Sequence, residues 1–175
     1  LFNQMLGFSE EDVRTMLRYY QEAGQLQGDI EEMIQEMKPW YDNYCFARMS
    51  LGDDRVFNCD MTLYYLRSQF DFHRSPEEMV DKNIRTDYSK LKMLARIDHD
   101  SAHEGSRMST IEEIAAKGEI LVNLHTSFPA ERVADVDNFR SLLYYYGLLT
   151  MCGTRGDRLR MCIPNHCVRE QYFGF

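Results

Sequence analysis

Hydrophobic spacing changes period several times along the chain, and each change marks an element. After Ser9, an N-cap candidate, Val13, Met16, Leu17 and Tyr20 fall at i, i+3, i+4 and i+7, one face of a helix. Gly24 and Gly28 supply a turn. Ile30, Met33, Ile34 and Met37 then repeat the stripe in a second helix, which Pro39 is expected to end because its ring lacks an N–H and clashes with the preceding turn. The pattern predicts a helical hairpin whose two stripes pack on each other or on a shared core.

Between Trp40 and Asn58 the helical period is lost. Tyr44-Cys45-Phe46 and Val56-Phe57 flank a turn-rich stretch from Ser50 to Asp54, which predicts a short β-hairpin. Asn58 or Asp60 is placed to cap a helix carried by Leu63, Leu66 and Phe70. Ser75-Pro76-Glu77-Glu78 has a cap, a proline at the first helical position and a carboxylate three residues on, so a further helix is expected there. Another is expected from Thr86 or Asp87 through Leu91 and Leu94. The polar stretch Asp98 to Met108 predicts an exposed loop. Ser109-Thr110-Ile111-Glu112 then resembles a capping box before a short helix that Gly118 ends.

Glu119 to Leu124 is expected to be a strand, and Phe139, Leu142, Leu143 and Tyr146 form a clear helical stripe ending at Gly147. Leu148 to Met151 and Leu159 to Ile163 are short apolar runs around the turn residues Cys152 to Asp157, a second hairpin, and Pro164-Asn165 opens a last helix with Val168 and Tyr172. The fold class is therefore mainly α with small β-hairpins, an α+β arrangement. A helical, lid-like part (1–108) carrying a small hairpin precedes a winged-helix-like part (109–175).

Composition narrows the function classes. With 44% hydrophobic and 13% aromatic residues in 175, the chain can bury a real core. A net charge of −8 and a pI near 5.1 argue against a protein devoted as a whole to nucleic acid. The charge is uneven: residues 1–38 hold eight acids and three bases, residues 139–175 five arginines and two acids. Arg155, Arg158 and Arg160 on the second hairpin are thus candidates for contacting phosphates or for docking on an acidic neighbouring domain, although three arginines are few and ordinary surface charge is the simpler reading. Five cysteines, an odd number, suit a reducing compartment, and the cytoplasm is expected. No apolar run approaches the roughly 20 residues of a membrane span, so no membrane partner is expected. The start without Met and the aromatic end suggest a piece excised from a larger protein.

No catalytic residue is assigned. The ten glycines are scattered and no Lys-Ser or Lys-Thr follows the pair Gly153 and Gly156, so a phosphate-binding loop is not built here. Glu36-Met37-Lys38 has metal-nuclease spacing but falls on a helix, where a solvated face is the simpler reading. Asp98, His99, Asp100 and His103 lie in an aperiodic loop that lacks the rigidity a metal site needs. Cys152, Cys162, His166 and Cys167 lack zinc-knuckle spacing and read as half-buried thiols, so neither metal nor cofactor is expected in this chain.

Six segments in order resemble the bacterial AAA-ATPase-like proteins whose ATPase region is followed by a PD-(D/E)XK nuclease-like domain. They are Leu6-Gly7-Phe8-Ser9-Glu10-Glu11-Asp12-Val13, Lys38-Pro39-Trp40-Tyr41-Asp42-Asn43-Tyr44, Val56-Phe57-Asn58, Asn83-Ile84-Arg85-Thr86-Asp87-Tyr88, Leu142-Leu143-Tyr144-Tyr145-Tyr146-Gly147-Leu148-Leu149-Thr150 and Ile163-Pro164-Asn165. The resemblance implies the second half of the ATPase-like region, flanked in the parent by an ATPase core and a nuclease-like domain. ATP and magnesium would then belong to the parent. Arg85 is the candidate nucleotide-facing cation, the alternative being a surface salt bridge with Asp81 or Asp87. The function expected is a non-catalytic accessory module coupling nucleotide state to a neighbouring domain; the alternative is a nucleic-acid-binding winged helix using the Arg155 to Arg160 hairpin.

Overall fold

The computed structural model describes residues 3–83, 89, 107–132 and 135–173. The chain forms two compact units, Leu1–Lys82 with Asn165–Cys167, and Asn83–Pro164 with Val168–Phe175. Among the described residues there are six α-helices and one three-stranded antiparallel sheet, an α+β fold. No helix among them is long and apolar enough to cross a membrane.

In the first unit, α1 (Glu10–Glu22) starts at a complete capping box: Ser9 Oγ accepts from Asp12 N while the Asp12 carboxylate accepts from Ser9 N. Val13 and Leu17 are its fully buried positions. Gly24 and Gly28 take positive φ and turn the chain into α2 (Ile30–Tyr41), whose Met33, Ile34, Met37 and Tyr41 are buried. Pro39 does not end α2. It sits in the last turn, and the helix runs two residues further before Asp42 closes it by donating its N–H to Lys38 O.

The hairpin expected between Tyr44 and Phe57 is also corrected. The chain makes a single bridge, Tyr44 to Val56, around a short 3-10 helix at Arg48–Ser50, because Phe57 pairs with Phe8 instead. Asn58 caps α3 (Cys59–Phe72) by accepting from Met61 N. Its buried face is Met61, Thr62, Tyr65, Leu66 and Gln69, so Leu63 is left half exposed, contrary to the expected stripe. No helix starts at Ser75: residues 77–80 are bends, and the Ser75 hydroxyl donates to Glu36, 39 residues away, not to a local backbone.

In the second unit, α4 (Arg107–Lys117) already contains Ser109 and Thr110, so the expected cap falls inside the helix, and Gly118 ends it at φ 73°. β1 (Glu119–Val122) follows, then α5 (Val136–Tyr145). Tyr144, not Tyr146, is the buried ring of α5; Tyr146 is half exposed beyond the helix end. β2 (Thr150–Arg155) and β3 (Arg158–Cys162) form a hairpin tighter than expected, its turn reduced to Gly156-Asp157, with Gly156 supplying the positive φ. The sheet order is β1-β3-β2, and Cys152 is the extra residue of a bulge between Met151 and Gly153. Ile120, Val122, Met151, Leu159 and Met161 form the buried face. The last helix, α6 (His166–Phe173), has its first two residues in the first unit and buries Val168 and Tyr172 in the second.

Candidate functional site

Four segments far apart in sequence meet at one junction in the first unit. Phe8 and Phe57 exchange both backbone hydrogen bonds, at 3.1 and 2.7 Å, and Tyr44 and Val56 do the same at 3.1 Å each. Asn58 N donates to Tyr41 O at 2.8 Å, and the Asn165 side-chain amide donates to Asp42 O at 3.0 Å. His166 lies against Trp40, ring centroids 5.5 Å apart. These contacts unite residues 7–9, 40–44, 56–58 and 165–166.

The local sequence makes the approach feasible. A Cβ at Gly7 would sit 2.5 Å from Val56 Cγ2 and 2.8 Å from Phe57 O, so only glycine lets these strands of chain touch. Asn43 takes φ 82°, the left-handed turn that asparagine tolerates better than most side chains, and reverses the chain between Asp42 and Tyr44. Tyr41, Tyr44, Val56 and Phe57 are almost wholly buried. Burial, reinforced by the neighbouring Cys167, pushes the phenols of Tyr41 and Tyr44 well above the usual tyrosine range.

Charged groups line a cleft of about 600 Å³ beside this junction, among them Glu10, Arg14, Lys38, Asp42 and Arg55. Arg14 bonds Glu10 at 2.7, Glu11 at 2.8 and Glu31 at 2.6 Å, while Lys38 pairs with Glu10 at 2.6 Å. Lys38, and then Arg14, hold the Glu10 carboxyl below its ordinary range; Arg14 does the same to Glu31. Burial raises the Asp42 carboxyl. Such a lattice fixes the orientation of α1 against α2, since Arg14 and Lys38 are spent on neighbouring carboxylates.

The Glu36-Met37-Lys38 spacing builds no metal site here. Lys38 turns to Glu10, whereas Glu36 Oε2 accepts from Tyr65 OH and, at 2.6 Å, from Ser75 Oγ. Gln69 Nε2 donates to Tyr65 OH at 3.2 Å. Burial is the main cause that pushes the Tyr65 phenol up to about 12. This knot was not legible from spacing, because Glu36, Tyr65 and Ser75 belong to three separate segments; Gln69, a buried polar residue four after Tyr65, is its only sequence trace.

In the second unit, Arg155 and Arg158 stand opposite each other at the exposed end of the hairpin. Arg160 is diverted to Glu119 at 2.7 Å, which raises the guanidinium pKa further. The three arginines therefore do not form one cationic surface of equal members. His125, which sequence reasoning passed over, places Nδ1 2.5 Å from Asn138 Oδ1. Asn138 spends its amide on Arg132 O at 2.8 Å, so His125 Nδ1 is the donor of that pair. Arg85 lies outside the described residues, as do Asp98, His99, Asp100, His103 and the helix expected through Leu94. None of the five cysteines is in a disulfide, and among the described residues no group of three or more His, Cys, Asp or Glu side chains is arranged to hold a metal ion.

No protein-family profile, no curated protein and no solved structure matches this chain.

Proposed function

We propose that this chain is a non-catalytic accessory module of a larger AAA-ATPase-like protein, coupling nucleotide state in an ATPase core to a neighbouring nuclease-like domain. One observation carries the reading. The segments Gly7-Phe8-Ser9, Trp40 to Tyr44, Val56-Phe57-Asn58 and Asn165, which hold much of the family resemblance, converge on a single junction. Their polar groups bond to each other's backbone, so the junction acts by holding geometry. Magnesium and ATP are assigned to the parent's core, and Arg85 remains the residue of this chain proposed to face the nucleotide. Five cysteines without a disulfide between them support a reducing, cytoplasmic setting.

The second unit supports a winged-helix-like reading: helix, strand, helix and hairpin occur in that order, and the first strand pairs with the third. The alternative, nucleic-acid binding through this hairpin, is favoured by the two exposed arginines at its end. The accessory role is preferred because Asp135 and Asp137 mark the start of α5, and Arg140 pairs with Asp137 at 3.7 Å and Glu113 at 4.0 Å. That helix offers phosphate little to bind.

Hydrogen exchange on the ATPase-containing protein, with and without magnesium-ATP, tests the coupling. The proposal predicts altered protection at residues 41–45 and 56–58 when nucleotide binds. Identical exchange in both states counts against it.

A further inference from the structure

Cys152 and Cys162 lie on adjacent strands of the second unit and on one face of its sheet. Thr150 stands opposite Cys162 in the register, and Cys152, two residues after Thr150, returns to the same side, away from Met151 and Met161 in the core. Both cysteines are partly exposed, and neither is in a disulfide. The Cys152 thiol leans across to the neighbouring strand, donating to Arg160 O at 3.4 Å. Glu119 chiefly, and after it Cys152 and Cys162, raise the Arg160 guanidinium, so both sulfurs lie near that one side chain.

The bulge decides the distance between them. In a regular antiparallel ladder a same-face diagonal neighbour is displaced by about 6.7 Å along the strand and about 4.8 Å across it, so its Cα stands about 8 Å away. That is too far for a disulfide, whose Cα atoms lie about 4.4–6.8 Å apart. Here the three steps from Thr150 to Gly153 run alongside only the two from Cys162 to Arg160. Cys152 is therefore displaced from Cys162 by about 4.5 Å along the strand, and the Cα separation falls to about 6.5 Å, inside the disulfide range.

We propose that Cys152 and Cys162 are a reversible dithiol–disulfide site, oxidised by a low-molecular-weight disulfide. One cysteine thiolate attacks that disulfide and expels its first thiolate; the other cysteine then attacks the mixed disulfide at the protein sulfur and expels the second. The protein loses two electrons and two protons, and the small disulfide leaves as two thiols. The new bond pins β2 to β3 where the bulge interrupts their ladder. In a reducing compartment such a bond is transient and redox-sensing. The inference goes beyond the accessory-module reading and does not depend on nucleotide.

The test equilibrates the whole chain with reduced and oxidised glutathione at graded ratios, in buffer and in urea, and locates any bond by peptide mass mapping after an acid quench. The native chain keeps the Cys152 to Cys162 bond at a ratio of reduced to oxidised glutathione about tenfold higher than the unfolded chain tolerates, because the fold holds the two thiols together. Cys152→Ser and Cys162→Ser each remove the bond, and Cys59→Ser leaves it. Equal ratios in buffer and urea overturn the proposal on the unaltered chain alone. So does a bond from either thiol to another cysteine or another chain, or glutathione retained on one sulfur with no bond formed.

Discussion

The side-chain amide of Asn165 donates to the backbone carbonyl of Asp42 at 3.0 Å across 123 residues of sequence. Asn165 is nearly buried, so the carbonyl it satisfies has little water to turn to. This bond ties the start of α6 to the end of α2, at the junction on which the functional reading rests.

Asn165→Ala should therefore lower the stability of the first unit by about 1 kcal/mol. Urea unfolding followed at Trp40 reports it selectively, since Trp40 is the only tryptophan and lies in that unit beside His166. An unchanged midpoint would mean that the bond contributes nothing.

Gly7→Ala should do more harm than its single methyl suggests. The added carbon meets Val56 and the Phe57 carbonyl at distances no relaxed contact allows, and backbone must move to admit it. A loss of about 2–3 kcal/mol is expected, the upper range for overpacking. Gly52→Ala, where nothing lies within 4 Å of the added carbon, is the control and should be close to neutral.

The buried phenols set an alkaline limit. Tyr41, Tyr44 and Tyr65 are acids whose folded pKa values lie above the ordinary 10.0, chiefly through burial. The folded state holds their protons more tightly than the unfolded chain does, so their contribution is full below about pH 10 and declines as pH rises past it. Phenolate absorbance between pH 9 and 12 should therefore show a late fraction that appears together with loss of far-ultraviolet helical signal. Complete ionisation with the helices intact would contradict the assigned burial.

Much of the secondary structure was legible because it depends on near neighbours. Ser9 and Asp12 cap α1 from three residues apart, Gly118 and Gly147 stop helices at positive φ, and period two marks β3 through Leu159 and Met161. The failures have distant causes. Ser75 looked like a cap, but its hydroxyl is taken by Glu36 from α2. Phe57 looked like the second arm of a hairpin, but Phe8 claims its backbone. Leu63 looked like core, yet the polar Thr62 and Gln69 are buried in α3 instead, Thr62 through a bond to Asn58 O and Gln69 through Tyr65. The junction follows the same rule: each of its segments was visible as a motif, while their meeting depends on pairings that no spacing encodes.

The claim that this chain is an accessory module is tested most directly by calorimetric titration of magnesium-ATP into the chain alone and into the longer protein that contains the ATPase core. The account predicts heat of binding for the longer protein and none for the chain. Saturable binding to the chain alone would contradict it and place a nucleotide pocket within these 175 residues.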